Sequence, residues 1–284
     1  MFSTLFSMRK FHDMKKTRSP FLNESPQKLM RRFIYNYAHL EGTQKASPLF
    51  DIDRALYFIR TNECFDYLTD KWYEHLNNGD LAGAYSVYDD DYYVTDLWNC
   101  FKQLSRKYLR NISMIPITDE QKPLTEILQS TQSVVDIGCG IGFTTSSLKQ
   151  LFPLAKVYGT NLKDTKQWEW CRKMAKDYDW KLVTGVKEVE QKSGLVFASE
   201  YFEHILNPIE HVQEIVHEIE PKCFVIANAF NTRSIGHFTE YQHQGTTIPQ
   251  DKISRQFNSS LSELGYTKLK TKFWNGRPNI WMKK

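Results

Sequence analysis

No apolar run in the 284 residues approaches the roughly 18 needed to span a membrane as a helix, and the first fifteen residues hold no signal-peptide-like hydrophobic stretch. A helical membrane protein is excluded, and a secretory leader is not expected. Cysteine is scarce as well. Cys64, Cys100, Cys139, Cys171 and Cys223 are odd in number and scattered, with no pair at metal-ligand spacing. A disulfide framework and a zinc ribbon are excluded, no resident metal is expected, and a reducing, cytoplasmic compartment is the expected home. Charge of one sign is also lacking. The 37 Lys and Arg against 33 Asp and Glu leave +4, too little to imply nucleic acid by itself. Residues 1–50 carry nine basic and three acidic side chains, and residues 51–110 carry seven and eleven, so the basic excess sits at the amino end. The stretch Met8 to Lys16 reads as a solvated tail more readily than as a binding arm.

What is present is a 41% hydrophobic content, enough for a core, on a chain longer than the usual single domain. The first 110 residues read as helical. Ser25 to Leu40 has a cap, Pro26 in the first turn and apolar residues at helical spacing, ending near Gly42. Asp51 to Leu76 reads as a second helix, capped by Asp51 and stopped by Asn77-Asn78-Gly79. Asp80 to Asn111 gives one or two more, broken near Asp89 to Asp91. The aromatic stripe of Tyr85, Tyr88, Tyr92, Tyr93 and Trp98 is core in its simplest reading, while Tyr88 and Tyr92 are candidates for lining a substrate pocket. A boundary near residue 112 divides a helical region, 1–111, from a second region, 112–284.

In that second region the elements alternate. Strands are expected near 133–137, 155–160, 180–184, 194–199 and 222–228, with helices near 142–152, 165–177 and 208–219, a pattern that gives a parallel, doubly wound α/β sheet. After a helix from Gln250 to Leu264, Tyr266–Trp274 and Arg277–Lys283 read as strands joined by Asn275-Gly276, a strong short hairpin signal. Pro278 cannot donate to a ladder, so pairing is expected to begin after it. The segment from Asn228 to Gln250 reads as a long functional loop.

The stretch Val134-Val135-Asp136-Ile137-Gly138-Cys139-Gly140-Ile141-Gly142 is a strand, an acid, a glycine-rich turn and the start of a helix. A dinucleotide fingerprint would need glycine at position 143, where Phe143 stands. The stretch Asp136 to Gly142 instead resembles the first motif of the class I S-adenosylmethionine-dependent methyltransferases, and the resemblance covers roughly residues 112–284. It implies a Rossmann-like, mostly parallel seven-stranded sheet with an antiparallel carboxy-terminal hairpin, and a helical lid contributed by residues 1–111.

The resemblance also implies S-adenosylmethionine as cofactor, held by Asp136, Gly138, Cys139 and Gly140 at the turn, Asn161 and Leu162 after the second strand, Val186 after the third, and Ser199 and Tyr201 after the fourth. Asn161 stands where many relatives carry an acid that grips the ribose. Glu200 and His204, in Ser199-Glu-Tyr-Phe-Glu-His204, are the candidates for contacting the acceptor, although His204 reads equally well as a buried, satisfied residue. Tyr88, Tyr92, His237 and Tyr241 are the substrate-binding candidates. No D/N/S-P-P-aromatic tetrapeptide and no Pro-Cys nucleophile appears, so a small-molecule acceptor is the first reading. A nucleic-acid acceptor is the second, and a catalytically silent scaffold subunit the third.

Overall fold

The computed structural model describes residues 20–37, 52–117 and 121–284. The basic stretch of residues 8–16, the helix end expected near Gly42 and the cap expected at Asp51 lie outside the described residues.

The amino-terminal elements are helical, as their apolar spacing requires. They are α1 (Pro20–Asn23), α2 (Pro26–Tyr37), α3 (Ile52–Thr61), α4 (Glu63–Asn77), α5 (Leu81–Tyr85), α6 (Tyr93–Cys100), α7 (Arg106–Met114) and α8 (Leu124–Ile127). Ser25 caps α2 by accepting the Lys28 N–H, and Asp80 caps α5 by accepting the Gly83 N–H. The single helix expected over Asp51–Leu76 is two. Asn62 between α3 and α4 takes φ 60°, a left-handed conformation that Asn tolerates better than most residues. A π-turn at Phe101–Ser105 joins α6 to α7, so one irregular helical run crosses from Tyr93 to Met114.

The alternating region forms β1 (Ser133–Asp136), α9 (Phe143–Leu151), β2 (Lys156–Thr160), α10 (Lys166–Tyr178), β3 (Lys181–Val183), β4 (Leu195–Ser199), α11 (Pro208–Ile219) and β5 (Cys223–Ala227). Then follow β6 (Glu240–His243), β7 (Thr246–Pro249), α12 (Gln250–Glu263), β8 (Tyr266–Lys268) and β9 (Asn279–Lys283). The main sheet has the order β3-β2-β1-β4-β5-β9-β8. Strands β1 to β5 are parallel, and β9 runs antiparallel to β5 and β8. This is the doubly wound seven-stranded sheet with an antiparallel carboxy-terminal hairpin. Every residue of β1 and β5 is buried, because helices cover both faces.

Two expectations change in detail. Asn275 and Gly276 both take positive φ, yet β8 and β9 are short, and the turn sits at the tip of an irregular connection. Pairing starts at Asn279, directly after Pro278. The segment 228–250 is not a structureless loop. It contains the β6–β7 hairpin, turned at Gln244-Gly245, where both residues have positive φ.

The amino-terminal helices and the sheet share their cores. On one side Phe143 of α9 stacks on Phe101 and meets Trp98, both at 5.0 Å, with Phe33 at 5.4 Å and Phe21 at 5.7 Å. On the other side Trp72 of α4 packs against Tyr88 and Phe238 and donates its indole N–H to the His237 carbonyl. Among the described residues no helix is long and apolar enough to cross a membrane.

Candidate functional site

At the carboxyl end of β1 the backbone bends sharply through Gly138 (φ 70°) and Gly140 (φ 55°). A Cβ on Gly138 would stand 2.2 Å from Cδ2 of Tyr201, so the bend requires glycine sterically as well as by φ. Gly138 N–H donates to the Thr160 hydroxyl and Cys139 N–H to the Thr160 carbonyl, which ties the bend to the end of β2. Beneath it the buried Asp136 carboxylate accepts the Thr145 hydroxyl of α9 at 2.6 Å. Burial pushes the Asp136 pKa up to about 7, with the Thr145 hydrogen bond opposing.

The bend opens on a cavity of about 910 Å³. Asp136, Gly138, Cys139, Gly140, Asn161, Leu162, Ser199, Glu200, Tyr201 and His204 line it, and Tyr88 and His237 face it from the amino-terminal helical region and from the segment after β5. Two of these are committed elsewhere. The Asn161 amide donates to the Gly140 carbonyl and its oxygen accepts from Leu162 N–H, so it braces the turn. The Cys139 thiol lies 3.8 Å from that of Cys171.

Three expected residues do not line the cavity. Val186 is buried in the core with Val135 and Val183, because the single turn Val186–Glu188 tucks it beneath the sheet. Tyr92 turns outward, accepting from Arg54 and meeting the Tyr67 ring edge-on. Tyr241 is fully buried in β6, where it donates to the Glu203 carbonyl and packs on Phe230 and Phe238.

The end of β4 carries the densest polar chemistry. Glu200 has φ 52°, a left-handed conformation costly for a non-glycine residue, and its N–H donates to the Ala227 carbonyl. Its carboxylate accepts from the Tyr108 hydroxyl at 3.3 Å. Glu203 is wholly buried and accepts the Ala229 N–H at 2.7 Å. Burial raises both acids, Glu203 strongly and further because the Glu200 charge lies beside it, while the Arg277 guanidinium opposes the rise at Glu200.

His204 Nδ1 lies 2.9 Å from the Tyr88 hydroxyl, and its ring meets that of His237 edge-on at 4.9 Å. Burial holds His204 well below the ordinary imidazole range and His237 down at about 4. Gly236 makes this approach feasible, since a Cβ there would come within 2.0 Å of the Tyr88 hydroxyl oxygen.

Sequence reasoning did not single out Asp96 or Glu203. Asp96 lines the cavity from α6, and burial pushes its pKa up to about 7. Its signal was available: Tyr93, Asp96, Leu97 and Cys100 are spaced to share one helical face, so this acid lies on an apolar stripe.

No family model matches the sequence, and no curated protein matches it. Among solved structures, an O-methyltransferase family protein from Burkholderia thailandensis is similar over 90% of this chain and 82% of its own, with a TM-score of 0.50 and 10% identity. The chain has the class I S-adenosylmethionine-dependent methyltransferase fold. DesVI of Streptomyces venezuelae is similar over 69% of this chain and 99% of its own, at a TM-score of 0.44 and 12% identity. The O-methyltransferase of a Brevibacillus brevis trans-AT polyketide multienzyme, solved with S-adenosyl-L-homocysteine, is similar over 51% of each chain, at 0.37 and 18%. Such identities speak of fold and not of substrate. Within the methyltransferase fold the strand order reverses between β1 and β4, and the crevice outside the carboxyl ends of those strands is where the cavity lies.

Proposed function

We propose that the chain is an S-adenosylmethionine-dependent methyltransferase acting on a small-molecule acceptor. The observation that carries this reading is the Gly138–Gly140 bend, opening at the β1/β4 reversal onto a cavity of about 910 Å³. That volume suits a nucleoside-sized cofactor together with a modest acceptor. Asp136 fits the cofactor's ammonium. It is a buried acid that, among the described residues, forms no salt bridge, and a cation beside it would offset its desolvation.

When bound, S-adenosylmethionine supplies a methyl group on a sulfonium, which an acceptor nucleophile takes by in-line displacement with release of S-adenosylhomocysteine. The protein's own part is positioning, worth up to roughly 7–11 kcal/mol in a well-oriented site. Gly138 and Gly140 let the ligand approach the backbone, with Cys139, Leu162, Ser199 and Tyr201 on the surrounding walls. Asn161 acts by bracing the bend. Tyr85, Tyr88, Tyr93 and Phe101 give the lid side an aromatic wall that excludes water and suits an acceptor with an apolar body. Glu200 and His204 face the acceptor from the end of β4. As a neutral imidazole His204 can take a hydrogen bond or a proton, a contribution of about 10²- to 10⁴-fold.

The test is transfer of labelled methyl from S-adenosylmethionine to cell extract fractionated by size. Label is expected in the small-molecule fraction. Label confined to nucleic acid would overturn the acceptor class. Absence of transfer to any fraction by protein that binds S-adenosylhomocysteine would mark a scaffold and overturn the enzymatic reading.

A further inference from the structure

Glu203, His204 and His237 are brought together from the end of β4 and from the segment after β5. Each offers one ligating atom, and these atoms all lie within 4.8 Å of one another. The two histidines line the cavity, and Glu203 lies fully buried beside them. No metal-ligand spacing announces this in the sequence, because His237 stands more than thirty residues after Glu203 and only the fold makes them neighbours.

Two features favour a cation over a merely structural network. The His237 Nδ1 lies 2.8 Å from the Thr232 carbonyl oxygen, which can only accept, so Nδ1 carries the hydrogen and Nε2 of the neutral ring keeps its lone pair. A carbonyl orienting a ring in this way is the usual support of a metal-binding histidine. The Tyr88 hydroxyl, which can accept as well as donate, lies 2.9 Å from Nδ1 of His204 and orients that ring.

We infer that Glu203, His204 and His237 form a binding site for one divalent transition-metal ion on the acceptor side of the cavity. Two imidazoles and a carboxylate suit Zn²⁺, Mn²⁺, Fe²⁺ or Co²⁺ better than Ca²⁺, which prefers all-oxygen shells. Donors about 2.1 Å from a shared cation stand roughly 3.0–3.5 Å apart, so closure takes side-chain movements on the order of 1 Å. Such a cation leaves coordination positions open toward the cavity and selects an acceptor that binds through oxygen. This assignment of the acceptor rests on the proposed methyl transfer, whereas the metal site itself does not.

The probe is Co²⁺, titrated into chelator-treated full-length protein and followed by visible absorption, with S-adenosylhomocysteine calorimetry on the same samples. One equivalent of Co²⁺ is expected to produce saturable d–d bands. In His237→Ala and Glu203→Gln, apparent Co²⁺ affinity is expected to fall at least tenfold while the heat with S-adenosylhomocysteine persists. The Gln side chain keeps an oxygen for the Ala229 N–H, so this variant guards against simple misfolding. Absence of Co²⁺ bands, or equal Co²⁺ binding by wild type and a variant that retains S-adenosylhomocysteine heat, would overturn the metal site. Co²⁺ binding without S-adenosylhomocysteine heat would leave it standing and overturn the methyltransferase reading instead.

Discussion

The Tyr88 hydroxyl and His204 Nδ1, 2.9 Å apart, join the amino-terminal helical region to the end of β4. The Tyr88 ring is also wedged among Trp72, Tyr85 and Tyr93, so the hydroxyl can be removed without emptying the space. Tyr88→Phe is expected to cost about 1–3 kcal/mol, because it leaves a buried ring nitrogen without its partner. Denaturant unfolding measures this. Unchanged stability would show that the contact does not couple the amino-terminal helices to the sheet.

Gly138→Ala adds both a left-handed φ for a residue with a Cβ, costing about 1–2 kcal/mol, and a collision with Tyr201. Affinity for S-adenosylhomocysteine is expected to fall at least tenfold. Adding Tyr201→Ala removes the collision but not the φ strain, so recovery should be partial. Full affinity in Gly138→Ala alone would count against the bend as the cofactor seat.

Asp136 gives the site a pH signature. Its folded-state pKa of about 7 lies above the ordinary 3.8, so between those values the folded chain keeps a proton that the unfolded chain has lost. The Asp136 contribution to stability therefore falls as pH rises from about 4 to 7 and levels off above. Buried neutral His204 and His237 act in the opposite sense, losing stability as pH drops through the unfolded imidazole value near 6.5. The acid's share is read from wild type minus Asp136→Asn, whose stability difference should change between pH 5 and 8. A neighbouring ammonium favours the ionised acid, so S-adenosylhomocysteine binding at pH 6.5 should release protons and tighten toward pH 8. Calorimetry in buffers of different ionisation enthalpy detects this, and pH-independent binding without proton release would contradict it.

Phe143 sits where α1, α2, α6 and the π-turn meet α9. Phe143→Ala is expected to cost about 3–5 kcal/mol, the usual range for a buried Phe truncated to Ala. The wild type should unfold in one transition because the amino-terminal helices and the sheet share this cluster. A separate early transition for the amino-terminal helices would show that the cluster does not couple the two.

The sheet was legible because its strands are short β-branched runs bounded by turns, and the three central helices fall within a residue or two of their expected ends. The break at Asn62 was not, since neither Gly nor Pro marks it and the apolar spacing continues on both sides. Four-residue strands hid the β6–β7 hairpin, although Gly245 and the β-branched Thr246-Thr247-Ile248 were visible cues. At the site, the glycine bend and the end of β4 were readable as contiguous stretches. The meeting of Glu203 with His237 was not, because it is made by tertiary packing alone. Tyr241 illustrates the converse: a polar aromatic in an apparent loop proved to be a core residue of a strand.

The most direct measurement is isothermal titration of the purified full-length chain with S-adenosylhomocysteine. The account predicts one site per chain, with affinity lost or sharply reduced in Gly138→Ala. Absence of heat from folded wild-type protein, or equal binding by wild type and Gly138→Ala, would contradict it.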